Sequence, residues 1–196
     1  MRQVYPAISN PRCPHCGVHL ALCFCADYPV FATRTRTIFL QHSQELVKPT
    51  NSARLACRIL SNASIRTWER LSPPEFGPEA ILLFPFPGSP ALEPGDMQGN
   101  AVIVIPDGTW SQAGRMANVL NRTGSIRSRT LPPGESSLWS VRLSNDPARI
   151  SSAQAASAAL AIGGESQAAE FLDRALVEAS QKILAMRGIL ERMQRQ

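Results

Sequence analysis

The sequence predicts an α/β fold built on a mostly parallel sheet, and three observations carry that expectation. Short continuous apolar runs at 80–84 and 101–105 have the length and Ile/Val/Leu content of strands buried on both faces. Segments of helical periodicity stand between such runs, each opened by a residue that caps helices: Asn51, Thr109 and Ser151. Strand-like and helix-like segments alternate along the chain, as crossover connections require. At 196 residues the chain has the length of one domain with a small appendage, given roughly 100–200 residues per domain.

Taken in order, residues 1–30 form a cysteine-bearing extension with Asp27-Tyr28-Pro29 as its exit, and 31–196 form the main domain. Residues 35–42 carry Ile38, Phe39 and Leu40 in weak alternation and predict a strand. Asn51 caps a helix to about Ser61, with Leu55, Ala56, Ile59 and Leu60 on one face. Residues 64–68 predict a strand. A Pro-rich loop, 72–78, precedes the apolar strand 80–84, and a second loop, 88–100, leads to the strand 101–105. Thr109 with Gln112 three residues on is a capping-box pattern opening a helix to about Leu120. Strands are expected at 127–131 and 138–143. Ser151 with Gln154 repeats the capping-box pattern before an Ala-rich helix that stops at Gly163-Gly164, and a last helix covers about 167–190.

Charge and cysteines bound the function. Twenty Lys+Arg against fifteen Asp+Glu leave +5 with the three His neutral, and a pI near 9.3, which suits a phosphate-bearing partner or an anionic surface. The 44% hydrophobic content argues against a wholly disordered chain. No apolar run approaches the roughly 18 residues of a membrane span. The N-terminus lacks a signal peptide's apolar core, so a cytoplasmic protein is expected. Four of five cysteines fall together, as Cys13-Pro14-His15-Cys16 and Cys23-Phe24-Cys25. In a reducing compartment a CxxC with a close CxC reads as a tetrahedral metal site. Four thiolates leave no open position, so zinc there would be structural. A redox pair, or four unrelated reduced thiols, are the alternatives. Cys57, within a helical pattern, reads as a small buried hydrophobe.

Two groups of polar residues follow strands. Asp107-Gly108-Thr109-Trp110 puts a carboxylate at a strand end and a capped helix start behind it. Asp107 there can act as a general base, the helix amides can hold an anion, and Trp110 can stack on a ring. A common turn, cap and core anchor would look the same. His42, Glu45, Lys48 and Asn51 lie between a strand and a helix, where they line a cleft or form a solvated turn. Arginines recur at 34, 36, 54, 58, 122, 127 and 129, and their forked geometry suits phosphate. There is no P-loop, complete GxGxxG, HExxH or GxSxG.

These pieces together resemble the DTW-domain family, whose Asp-x-Thr-Trp signature stands here as Asp107-Gly108-Thr109-Trp110. The cysteine cluster matches, as do His42, Glu45, Thr50, Asn51 and Ser52 for a His-x-x-Glu segment and its Thr/Asn-rich helix start. Leu82-Leu83-Phe84-Pro85 matches a Leu-Leu-Tyr-Pro strand end, and Gln112, Arg115 and Met116 match a Gln-Ala-Arg-Arg-Met-like helix. Ser137, Trp139 and Arg142 match Ser-x-Tyr-x-x-Arg, and Ile150 to Ala155 match a Leu-Ser-Thr-x-Glu-Ala helix start. Six matches in order cover nearly the whole chain.

The resemblance implies a SPOUT-like α/β fold with a C-terminal knot and a small N-terminal zinc knuckle. It further implies transfer of the 3-amino-3-carboxypropyl (acp) group of S-adenosylmethionine to N3 of a tRNA uridine, releasing 5′-methylthioadenosine. Asp107 would take the N3 proton. Phe84, Pro85, Thr109, Trp110, Ile150, Ser151 and Ser152 would hold S-adenosylmethionine; His42, Glu45, Asn51, Arg34, Arg36, Arg115 and Arg142 would meet the RNA; Cys13, Cys16, Cys23 and Cys25 would bind zinc. The rival readings are an RNA methyltransferase and a non-enzymatic zinc-dependent RNA-binding protein. A monomer is the default, and no membrane partner is expected. Departures from the pattern include Phe84 and Trp139 for Tyr, Ser152 for Thr, Ser43, Gly114, and Gln154 for the usual Glu.

Overall fold

A computed structural model describes residues 13, 15, 20, 23, 25, 26, 28–48, 50–124, 126–133, 136–141, 146 and 149–186. In chain order the elements are β1 (Arg36–Gln41), α1 (Ser52–Ile59), β2 (Ala63–Thr67), β3 (Ala80–Leu83), β4 (Val102–Asp107), α2 (Trp110–Thr123), β5 (Arg127–Arg129), α3 (Ser152–Ile162) and α4 (Ser166–Met186). Single 3-10 turns stand at Ser43–Glu45 and Pro94–Met97.

The five strands form one parallel sheet in the order β2-β1-β4-β3-β5. Side chains alternate across it, because successive Cβ atoms of a strand point to opposite faces. Phe39, Ile81, Leu83, Ile103 and Ile105 join the core shared with α1, α3 and α4. Ile38, Leu40, Ala80, Leu82, Val102 and Val104 join Ala117, Leu120 and Ile126 on the α2 side. Helices on both faces explain the unbroken apolar runs: β3 and β4 are buried at every position. Residues well before β1 also pack into the first core. Cys13, Cys25 and Tyr28 belong to it, Tyr28 sets its ring edge-on to Phe171, and its hydroxyl donates to Glu178 at 2.9 Å.

The helix starts lie where their caps predict. Asn51, Thr109 and Ser151 each accept from the backbone N–H three residues on. α2 ends at Gly124, whose φ of 67° is the left-handed conformation that favours glycine at a helix end.

Two expectations are corrected. The strand at 101–105 runs on to Asp107, because Pro106 and Asp107 stay in register with Leu40 and Gln41 of β1. The strand expected at 138–143 is absent over its described part, 138–141. There the Leu138 N–H goes to the Gln154 side chain at 2.9 Å and the Trp139 N–H to Ser137 Oγ at 3.3 Å. Donors taken by side chains do not build a ladder. Among the described residues no helix is long and apolar enough to cross a membrane.

Candidate active site

The C-terminal ends of β3 and β4, with the starts of α2 and α3, border a cavity of about 1180 Å³. Such strand ends are where ligands of open parallel sheets bind. Phe84, Pro85, Asp107, Thr109 and Trp110 line it, and so do Ile150, Ser151 and Ser152 from the far side. The structure thus brings residues far apart along the chain to one cleft.

Asp107 is the polar centre of this cleft and is 4% exposed. Its Oδ2 accepts from Gln41 Nε2 at 2.9 Å and from Asn51 Nδ2 at 2.6 Å, and its Oδ1 accepts from Ser152 Oγ at 2.7 Å. A carboxylate has about four acceptor positions, so these bonds leave one on Oδ1. The three donors come from the end of β1, the cap of α1 and the start of α3. Asn51 serves twice, since its Oδ1 also accepts from Arg54 N at 3.3 Å. Ser52 sits beside Ser152, with hydroxyls 3.2 Å apart. A buried carboxylate is tolerated when its hydrogen bonds are supplied in this way.

Two helix N-termini border the cleft, which favours a negative group between them. At α2 the capping box is closed: Thr109 Oγ1 accepts from Gln112 N at 3.3 Å, and Thr109 N donates to Gln112 Oε1 at 2.8 Å. Gly108 makes room for this return, as a Cβ there would lie 3.0 Å from Gln112 Cβ and 3.1 Å from its Oε1. The aromatic wall is Phe84 and Trp110, with centroids 6.0 Å apart and planes at 46°. The Arg149 guanidinium lies 5.6 Å over the Trp110 ring, a cation–π distance.

At α3 the capping box is only half made. Ser151 Oγ accepts from Gln154 N at 3.2 Å, but the Gln154 side chain does not return to Ser151. It crosses to the segment before α3, where Oε1 accepts from Leu138 N at 2.9 Å and Nε2 donates to Ser136 O at 3.2 Å. Ser180 Oγ donates to Leu138 O at 3.4 Å, and Trp139 Nε1 donates to Thr50 O at 3.3 Å. Ser137, Leu138 and Trp139 therefore stand as a wall of the cleft.

The other residues singled out from sequence lie elsewhere. Glu45 is fully buried and bonds Lys48 Nζ at 2.6 Å; His42 caps the adjacent 3-10 turn, its Nδ1 accepting from Gln44 N at 3.3 Å. Both brace the turn beside Asp107 without lining the cavity. Arg34 and Arg36 stand at the opposite end of the sheet. Arg36 pairs with Val102 where Gln41 pairs with Asp107, so five residues at about 3.3 Å, roughly 17 Å, separate them. Arg34 is tied down there, donating to Gly163 O at 2.9 Å. Arg115 is exposed on α2. Arg142 lies outside the described residues. Arg127 and Arg129 are engaged by Asp96, which Arg129 grips with two bonds of 2.8 Å. That grip holds the Asp96 carboxyl below its ordinary range.

Sequence reasoning did not assign Arg149, Asp173 or the Ser137–Trp139 wall to the cleft. Asp173 reaches it from α4, a helix in which the sequence singled out no site residue. Ser52, also on the cleft, had a signal, since it stands within the matched Thr50-Asn51-Ser52 segment.

The cysteine cluster lies apart from the cleft. Cys13, Cys23 and Cys25 place their sulfurs within 4.8 Å of one another, with Cys13 and Cys25 3.8 Å apart. A disulfide needs about 2.05 Å, whereas tetrahedral zinc at about 2.3 Å sets its sulfurs about 3.8 Å apart. The cluster can hold a metal ion; Cys16 lies outside the described residues. Cys57 is a separate thiol pushed up to about 12, first by burial and then by the Asp107 charge. It stays protonated at neutral pH.

Comparison with known proteins bears on the fold and the family. The chain superposes on the SAM-dependent rRNA:acp-transferase Tsr3 from Vulcanisaeta distributa with a TM-score of 0.53. The match covers 76% of this chain and 81% of that one at 21% identity. That likeness is one of fold, and it agrees with the α/β architecture of a parallel sheet and flanking helices expected from sequence. A family model for the DTW domain matches residues 10–184, so the chain belongs to the DTW-domain family.

Proposed function

We propose that this protein transfers the 3-amino-3-carboxypropyl group of S-adenosylmethionine to N3 of a uridine in tRNA. The observation that carries the reading is Asp107, buried and fixed by donors from three elements, facing a cleft bordered by two helix N-termini. The cleft exceeds the roughly 300–1,000 Å³ of drug-sized ligand pockets, so it has room for a nucleoside with an amino-acid tail. Its features fit that shape: an aromatic face at Phe84 and Trp110 for the adenine, and the helix amides that follow the Thr109 and Ser151 caps for a carboxylate. Family membership and the fold shared with an RNA-modifying transferase support the same reading.

S-adenosylmethionine supplies a carbon made electrophilic by the adjacent sulfonium. The protein's task is then to hold that carbon, rather than the methyl, in line with the acceptor, and to accept a proton. The remaining acceptor position on Asp107 Oδ1 takes the proton from uridine N3 as the N–C bond forms and the C–S bond breaks. Methylthioadenosine leaves. Gln41, Asn51 and Ser152 keep the carboxylate from turning away, which makes them positioning residues. We assign Cys13, Cys16, Cys23 and Cys25 to one structural zinc ion that organises residues 1–30 against the main domain.

The test uses undermodified tRNA and S-adenosylmethionine labelled either in the methyl or in the aminocarboxypropyl carbons. The carboxypropyl label is expected in tRNA and the methyl label in methylthioadenosine. Methyl label in the RNA would instead make the protein a methyltransferase. Label in rRNA but not tRNA would keep the chemistry and replace the substrate.

A further inference from the structure

We infer that a second cleft, on the other flank of α1, binds one unpaired nucleotide of the acceptor RNA next to the reacting uridine, with its phosphate on Arg54 and Arg58. This deepens the proposed function and rests on its RNA acceptor. The cavity measures about 530 Å³ and is lined by His15, Gln41, Arg54 and Arg58 together with Val30 and Leu46. That volume lies within the range of small-ligand pockets.

Charge comes first. Arg54 and Arg58 are one helical turn apart, so their side chains share a face of α1. Among the described residues no carboxylate lines the cavity between them. Like charges at this spacing repel, and an anion relieves the repulsion. Each guanidinium is held in place by a loop carbonyl: Arg54 donates to Leu46 O and Arg58 to Cys25 O. One of five N–H groups anchors each fork, and the rest of the planar donor set is oriented in advance. This is how arginine grips phosphate.

Apolar surface and position follow. Val30 is 57% exposed and Leu46 42% exposed at the same cavity, so a base face can lie against them. Gln41 lines this cleft, and its Nε2 donates to Asp107 at the other. Gln41 and Asp107 are register partners on neighbouring strands, one strand spacing of about 4.8 Å apart, so this pair stands between the two clefts, next to the α1 cap. A strand whose uridine reaches Asp107 brings its neighbouring nucleotide to Arg54 and Arg58.

The experiment measures binding of undermodified tRNA by the full chain over a series of salt concentrations, with S-adenosylmethionine affinity measured in parallel. Arg54→Ala with Arg58→Ala is expected to weaken RNA binding tenfold or more. It should also flatten the dependence of log K on log[salt] by about 0.7, the value for one single-stranded phosphate contact. S-adenosylmethionine affinity should stay within about twofold. Arg54→Lys with Arg58→Lys is expected to keep the salt slope. Val30→Glu, which removes no hydrogen bond, places an acid at the rim and should weaken RNA binding even where the double alanine variant does not fold. An unchanged affinity and slope in folded variants overturns the inference. Weaker binding with an unchanged slope also overturns it, since that marks a structural role. Wild-type RNA binding with these slopes but no transfer of label would refute the proposed reaction and leave the groove standing.

Discussion

Replacing Gln154 by Glu tests how the cleft wall is held. The Gln154 side chain is 8% exposed and bridges two backbone groups, accepting from Leu138 N and donating to Ser136 O. A carboxylate keeps the first bond and loses the second, and it turns an oxygen toward the Ser136 carbonyl. Losing one such bond and leaving a buried acceptor opposed together cost about 2–3 kcal/mol. If the cost falls on the wall, S-adenosylmethionine affinity drops about 30-fold to 150-fold at 1.4 kcal/mol per tenfold. If it falls on the whole fold, the melting temperature drops by about 4–12 °C. The defect should depend on pH. Burial raises the pKa of the introduced carboxyl in the folded state above its unfolded value, and the protonated acid can donate to Ser136 O as the amide does. The contribution of that carboxyl is therefore full below the unfolded pKa and is lost as pH rises through the folded pKa. Thermal melts and equilibrium binding from about pH 5 to about pH 8 read both effects. A Gln154→Glu variant that melts and binds like the wild type at the upper end would refute the latch.

Three further outcomes are expected. Asp107→Asn should lower transfer by about 10²-fold to 10⁴-fold, the range of a lost general base; turnover near wild type would remove Asp107 from the chemistry. The Asp96 carboxyl is held low by Arg129, so its contribution is complete above the unfolded value, about 3.9, and is lost as pH falls through the lowered folded value. Asp96→Asn should thus be less stable than wild type at neutral pH, with the difference closing in acid, and a constant difference in acid melts would contradict the assignment. One zinc ion per chain is expected by metal analysis, lost when Cys13→Ser and Cys16→Ser are combined; full metal content in that variant would sink the zinc site.

Much of the architecture is local in origin and could be read locally. Asn51, Thr109 and Ser151 announce their helices because each cap bonds an N–H three residues away. The buried strands show as apolar runs because helices cover both faces of the sheet. The Asp-Gly-Thr-Trp segment marked the strand end, the capped helix and the aromatic wall together, and the helix start at Ile150, Ser151 and Ser152 marked the opposite side of the same cleft.

The rest depends on which distant segments meet. Nothing in a linear pattern places β1 beside β4, yet that pairing sets Gln41 against Asp107. Asn51 and Ser152 reach the same carboxylate from helices separated by most of the domain. Gln154 has the spacing of a capping box, but a backbone N–H and carbonyl from another loop compete for its amide and win both bonds. The arginines divide in the same way, Arg34 and Arg36 at the far end of the sheet and Arg54 and Arg58 beside the cleft, although all four look alike as sequence. Elements, caps and family were legible along the chain, because they rest on contacts a few residues long. Which donors hold Asp107, what Gln154 latches and which cations face a cleft emerged only in the folded molecule, because long-range pairing leaves no periodic trace in the chain.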